Sequence, residues 1–189
     1  MPIGCLSCVP HVAARLMAQR PRSVLDLGVG MGFYGAVVRQ WLDNGVRPWT
    51  TRLVGVEGWE GYRNPAWELY DEVHVQSIED FFRGRHECFD AILLMDVIEH
   101  FPGDVGGEIV KQASCLLSPG GLLFIATPAV WMEQGAAYGN EFERHRSLWT
   151  AEMLSLLGMT IISDGAPDCF GNQMVLGVLT AGDAASDRT

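Results

Sequence analysis

Short unbroken apolar runs recur along the chain, separated by stretches in which apolar residues return every three or four positions. The runs are Ser23 to Leu27, Arg52 to Glu57, Phe89 to Met95 and Leu122 to Thr127. Continuous runs of this kind read as parallel strands covered on both faces. Between them, Ala36 to Asn44 puts Val37, Val38, Trp41 and Leu42 on one stripe, and Val105 to Leu117 carries the same helical spacing. Glu72 to Gln76 alternates as a further strand. Ala66 to Tyr70 reads as a short helix, and Ile78 to Phe82 as a helical turn behind Ser77. The turn Ser118-Pro119-Gly120-Gly121 precedes the fifth strand. Thr150 is a good N-cap for a helix through Leu157, which Gly158 stops. Met159 to Ser163 and Met174 to Leu179 are the last two strands. No helix separates them, which suits an antiparallel hairpin. Val9 to Met17 reads as an amphipathic helix leading in, ended by Pro21. The alternation predicts an α/β fold with one doubly wound parallel sheet. The expected layout is an N-terminal helix in 1–20, one domain over 21–180 and a tail of small polar residues at 181–189.

Composition narrows the partners. A chain of 189 residues that is 48% hydrophobic builds one globular core. A net charge of −10 leaves no basic face for a phosphate backbone beyond a local cluster at Arg144 and Arg146, so nucleic acid is not an expected partner. No apolar run is long enough to span a bilayer, and the N-terminus lacks the layout of a signal peptide. A cytoplasmic protein with no membrane association is expected. Nothing in the sequence sets an oligomeric state. Cys5, Cys8 and His11 resemble half a zinc site, but no second CxxC pair completes it. The five cysteines read as reduced thiols of a cytosolic protein.

The densest chemistry lies in Val24-Leu25-Asp26-Leu27-Gly28-Val29-Gly30-Met31-Gly32-Phe33-Tyr34-Gly35. A strand runs straight into a glycine turn and then a helix. That order brings a ligand against backbone amides at a helix N-terminus. Residues 30–35 fit the dinucleotide pattern G-x-G-x-x-G, and an acid, Glu57, follows at the end of the second strand. Asp26 argues against a pyrophosphate, which a carboxylate would repel. It suits a ligand carrying an ammonium and a sulfonium. In this segment the chain resembles the class I S-adenosylmethionine-dependent methyltransferases, whose first motif is acid-x-Gly-x-Gly-x-Gly. The resemblance covers residues 21–179. It implies a Rossmann-like sheet of about seven strands with the last one antiparallel, and S-adenosyl-L-methionine as cofactor.

In an open α/β sheet, ligands bind beyond the C-terminal ends of the strands. The cofactor-binding candidates there are Asp26, Gly28, Gly30, Gly32, Glu57, Trp59, Ser77, Ile78 and Asp96. The resemblance gives Glu57 the ribose diol. It gives Ser77 and the Ile78 amide the adenine edge, with Ser77 equally readable as an N-cap. Trp59 is a candidate to stack on adenine, or a loop anchor. Asp96-Val97-Ile98-Glu99-His100 resembles the acidic-x-x-Glu-His run of ubiquinone-pathway O-methyltransferases, and implies Asp96 near the methionine end. His100 is a candidate base, since a neutral imidazole can take an acceptor proton. His145, in the irregular segment after the fifth strand, is a second candidate. Trp131, Tyr138, Phe142 and Trp149 of that segment could line an acceptor pocket. No metal is assigned, although Asp96, Glu99 and His100 are hard-ligand types suited to a divalent ion. The implied function is methyl transfer to an oxygen or nitrogen of a small-molecule acceptor. A dinucleotide-dependent oxidoreductase and a non-catalytic binding protein stay open as alternatives.

Overall fold

The computed structural model describes residues 5–167, 171 and 173–182. Positions 183–189 of the expected tail, and Cys169, lie outside the described residues. Seven strands form one sheet: β1 (Ser23–Leu27), β2 (Arg52–Glu57), β3 (Glu72–Val75), β4 (Phe89–Met95), β5 (Leu117–Pro128), β6 (Thr160–Pro167) and β7 (Gln173–Thr180). Their order is β3-β2-β1-β4-β5-β7-β6. The first five are parallel, and β7 runs antiparallel between β5 and β6. The expected terminal hairpin is therefore present, inserted through β7.

Side chains alternate across each strand, so the sheet has two cores. Leu25, Leu27, Ile92 and Leu94 face one side with Phe81, Ile109 and Leu154. These come from α3 (Ile78–Phe82), α4 (Gly103–Cys115) and α5 (Ala151–Leu156). Val24, Leu53, Ala91 and Leu93 face the other, under α1 (Val9–Gln19) and α2 (Phe33–Leu42). α1 is no appendage: Val12, Ala13 and Leu16 are buried in that second core. The caps read from sequence hold, with Ser77 accepting from the Asp80 amide and Thr150 from the Met153 amide.

The boundaries shift where a turn is absorbed into its neighbours. α2 begins earlier than its apolar stripe, since Gly32, in the left-handed region, caps it. The turn at residues 118–121 does not interrupt β5. The strand runs through it with a jump in register against β4, allowed by the positive φ of Gly120. The short helix expected over residues 66–70 is a 3-10 turn, Pro65–Leu69, with Tyr70 extended beyond it.

Candidate active site

The strand order reverses between β1 and β4, and a cavity of 340 Å³ opens at the C-terminal ends of the strands there. Gly28 and Gly30 line it from the turn after β1, Glu57 and Gly58 from the end of β2, and Ser77 and Ile78 from the start of α3. Asp96, Val97 and His100 line it from the segment after β4.

The glycine turn is closed by its surroundings. A Cβ on Gly28 would come within 2.3 Å of Val97, at a φ of +90° that side chains rarely adopt. The Gly30 amide donates to Glu57 Oε2 at 2.8 Å, and its carbonyl accepts from Trp67 Nε1 at 2.9 Å. Glu57 Oε1 accepts from the Trp59 amide at 2.9 Å. Burial pushes the Glu57 carboxyl up, and these amide donors partly offset the push. Glu57 thus both ties β2 to the glycine turn and presents the remaining lone pairs of its carboxylate to the cavity.

Four sequence candidates are not at the cavity wall. Asp26 is 2% exposed and points to the α2 side of the sheet, where the Tyr70 hydroxyl donates to its Oδ2 at 2.5 Å. It supports the turn from beneath, because Leu25 and Leu27 claim the opposite face of β1. Gly32 is spent on capping α2. Trp59 packs edge-on against Tyr62, ring centres 4.6 Å apart, and Tyr62 is the aromatic that faces the cavity. His145 sits behind His100, with ring centres 5.0 Å apart, and its Nδ1 is 2.7 Å from the Met132 carbonyl oxygen. Of the aromatics expected to line an acceptor pocket, Phe142 does so, whereas Trp149 is buried beneath α4 against Gly106. Ser77 is the N-cap of α3 and also lines the cavity.

Asp96 adopts the left-handed region with φ of 55°, a strained geometry that aims the chain after β4 into the cavity. Removal from water pushes its carboxyl up to about 7. Burial lowers His100 to about 4, so the imidazole is neutral over the physiological range. Glu99 is buried, and that burial, together with the Asp96 charge, raises its carboxyl well above the usual range. The Thr127 hydroxyl donates to it at 3.2 Å. Ligand atoms of Glu99, His100 and His145 lie within 4.8 Å of one another. This cluster replaces the Asp96, Glu99 and His100 set as the place where a divalent ion would fit. Cys5 and Cys8 lie side by side in the second core, with His11 exposed on α1.

The segment 129–149 leaves β5 and crosses the cavity as a strap. The Phe142 ring lies over Gly58, so close that a Cβ there would meet it at 3.3 Å. The Tyr62 hydroxyl donates to Glu143 at 2.7 Å across 81 positions of sequence. The Arg146 and Ser147 amides return to the Glu99 carbonyl. Tyr62 and Glu143 were missed by sequence reasoning. Tyr62 sits in an irregular loop, and Glu143 in a charged run with the pattern of a solvated surface.

An open sheet of this order, with a glycine turn facing an acid across the switch point, defines the nucleotide-cofactor class of α/β proteins. The family model for the methyltransferase domain matches residues 8–158, and the chain belongs to that family. The ubiquinone biosynthesis O-methyltransferase of Xanthomonas campestris pv. campestris is 32% identical over 118 residues, covering 62% of this chain and 47% of its own length. The chain thus spans about half the length of the curated relatives it matches. Among solved structures, the O-methyltransferase TomG from Streptomyces achromogenes, in complex with SAM, aligns with a TM-score of 0.62 at 17% identity. That alignment covers 94% of this chain and 81% of TomG. The N-methyltransferase NodS from Bradyrhizobium japonicum aligns with a TM-score of 0.62 at 13% identity, covering 94% of both chains. No described helix is long and apolar enough to cross a membrane.

Proposed function

We propose that the protein transfers a methyl group from S-adenosylmethionine to an oxygen or nitrogen of a small-molecule acceptor. The observation that carries the reading is one cavity bounded by the Gly28–Gly30 turn, the Glu57 carboxylate and Asp96. Glu57 would take the ribose diol, Ser77 and the Ile78 amide the adenine, and Asp96 the methionine ammonium. The open acid lining suits a cationic cofactor and opposes a pyrophosphate. The cofactor supplies an electrophilic methyl. The protein aligns the acceptor against it and excludes water with the strap. His100, neutral and at the cavity wall, takes the proton of a hydroxyl acceptor.

Calorimetry against S-adenosylmethionine, S-adenosylhomocysteine and NAD tests this. The first two should bind and raise the melting temperature by mass action on the folded state. Binding of NAD alone would replace the reading by an oxidoreductase. One observation favours a second form of the same function. The Glu99, His100 and His145 cluster would hold a divalent ion that polarises the acceptor oxygen.

A further inference from the structure

Several carboxylates at the cavity make no ion pair among the described residues, and one of them, Glu143, is carried by the strap. Glu143 is 7% exposed and lines the cavity from the 3-10 turn Glu141–Glu143 of the strap. Its Oε1 accepts from the Tyr62 hydroxyl at 2.7 Å and its Oε2 from Gln134 Nε2 at 3.3 Å. Both donors are neutral. Neither neighbouring cation forms an ion pair with it, although Arg146 lines the same cavity. Arg144 pairs with Glu141 at 3.2 Å, and Arg146 donates to the carbonyls of His100 at 2.8 Å and Glu141 at 3.2 Å. Among the described residues, then, Glu143 has no basic partner. A carboxylate so far from water is costly unless a positive charge meets it.

Its position says what that charge is. Glu143 lines the same cavity as Glu57 and Asp96, and its charge acts on both. It also stands within reach of His100, at the acceptor side. In the proposed function, Glu57 marks the ribose of the cofactor and Asp96 its methionine. The atom that joins those two parts is the sulfonium.

We infer that Glu143 supplies the counter-charge to the sulfonium and makes the site select S-adenosylmethionine over S-adenosylhomocysteine. This inference rests on the proposed methyltransferase activity. In the transfer, the acceptor lone pair forms the new bond to the methyl carbon, and the carbon–sulfur pair stays on sulfur. The acceptor proton leaves to His100 or water. Sulfonium becomes a neutral thioether, so the attraction to Glu143 disappears while the carboxylate stays buried. The spent cofactor is therefore held less tightly than the fresh one. Such attraction stabilises the ground state, so its benefit lies in exchange and selection, not in the chemical step. Glu143 is a specificity residue in this account.

Glu143→Gln tests it, because the amide keeps the size and an oxygen that can accept from Tyr62. Calorimetry with each ligand on wild type and variant gives two affinities each. The preference for S-adenosylmethionine should fall by about tenfold in the variant, through the S-adenosylmethionine affinity. The ligand-free variant should melt close to wild type, since a buried charge is gone while the long contact from Gln134 Nε2 loses its acceptor. An unmoved preference, or equal losses for both ligands, overturns the inference. So does a lower melting temperature with an unmoved preference, which marks a structural role. Tyr62→Phe keeps the charge and removes its donor, so the preference should persist. A drop there equal to that of Glu143→Gln would assign the effect to strap geometry and also overturn it. Wild-type protein that binds neither ligand overturns the methyltransferase reading and this inference together.

Discussion

Asp26 shows how a sequence can mark a side chain's place along the chain without giving the face it takes. Its position before the glycine turn is legible in the sequence, but the face it takes is not. Alternation along β1 sets Asp26 opposite Leu25 and Leu27 without saying which face meets the ligand. Tyr70, 44 positions away, settles the matter by donating to it. Burial, above all, raises this carboxyl to about 7. A folded-state value above the unfolded one means that the group's contribution to stability is full below about pH 4. It is lost as the pH rises through about 7. Asp26→Asn keeps an acceptor for Tyr70 and cannot ionise. Urea unfolding should find it more stable than wild type at pH 8.5, by about 1–3 kcal/mol, with the gap closing toward pH 4. A variant less stable than wild type at pH 8.5 would contradict this account. His100 differs in the opposite sense from its free value, lowered by burial to about 4. With a hydroxyl acceptor, the acid limb of turnover should therefore sit well below the 6.5 of an open imidazole. His100→Gln should cut turnover by about 10²–10⁴ and leave cofactor affinity in place. Wild-type turnover that is abolished by a chelator and restored by magnesium would instead give His100 to an ion shared with Glu99 and His145.

At the scale of elements, the strands were the legible part. β1, β2 and β4 match their apolar runs residue for residue, because a strand buried on both faces has no polar register to confuse it. Helix starts were less legible, since the glycine that caps α2 belongs to the ligand turn as well. Least legible was the connection between α2 and β2, which an ion network fixes. Arg39, buried on α2, pairs with Asp43 at 2.8 Å and donates to the Thr51 and Leu69 carbonyls at 2.6 and 2.7 Å. It also reaches Asp71 at 2.9 Å, which in turn accepts from the Leu53 amide. Burial opposes the charge on Asp43, but Arg39 and the donors at Thr50 and Thr51 hold its carboxyl below the usual range. Apart from the i,i+4 pair Arg39–Asp43, each contact lies between segments that no local pattern pairs. Arg39→Met removes the cation and strands a buried carboxylate. It should cost about 3–5 kcal/mol at neutral pH, measured by urea unfolding. A loss under about 1 kcal/mol would show that Asp43 finds water instead.

At the scale of the molecule, the sheet order and the antiparallel β7 follow from the alternation of elements and the missing last crossover. The strap does not follow from either, because its anchors on Gly58 and Tyr62 are tertiary contacts between irregular segments. Those anchors also put the site under a time constraint. In the proposed function the strap lies across the opening a bound nucleoside would leave through, held by the Phe142 ring over Gly58, the Tyr62–Glu143 hydrogen bond and the Arg146 and Ser147 amides on the Glu99 carbonyl. In the proposed function each cycle would need these contacts undone, the spent molecule exchanged and the contacts remade. Loops of this kind move on microsecond to millisecond timescales, and in many enzymes they set the rate. The pace of such a protein would be kept by a hinge, with the chemistry waiting on the door.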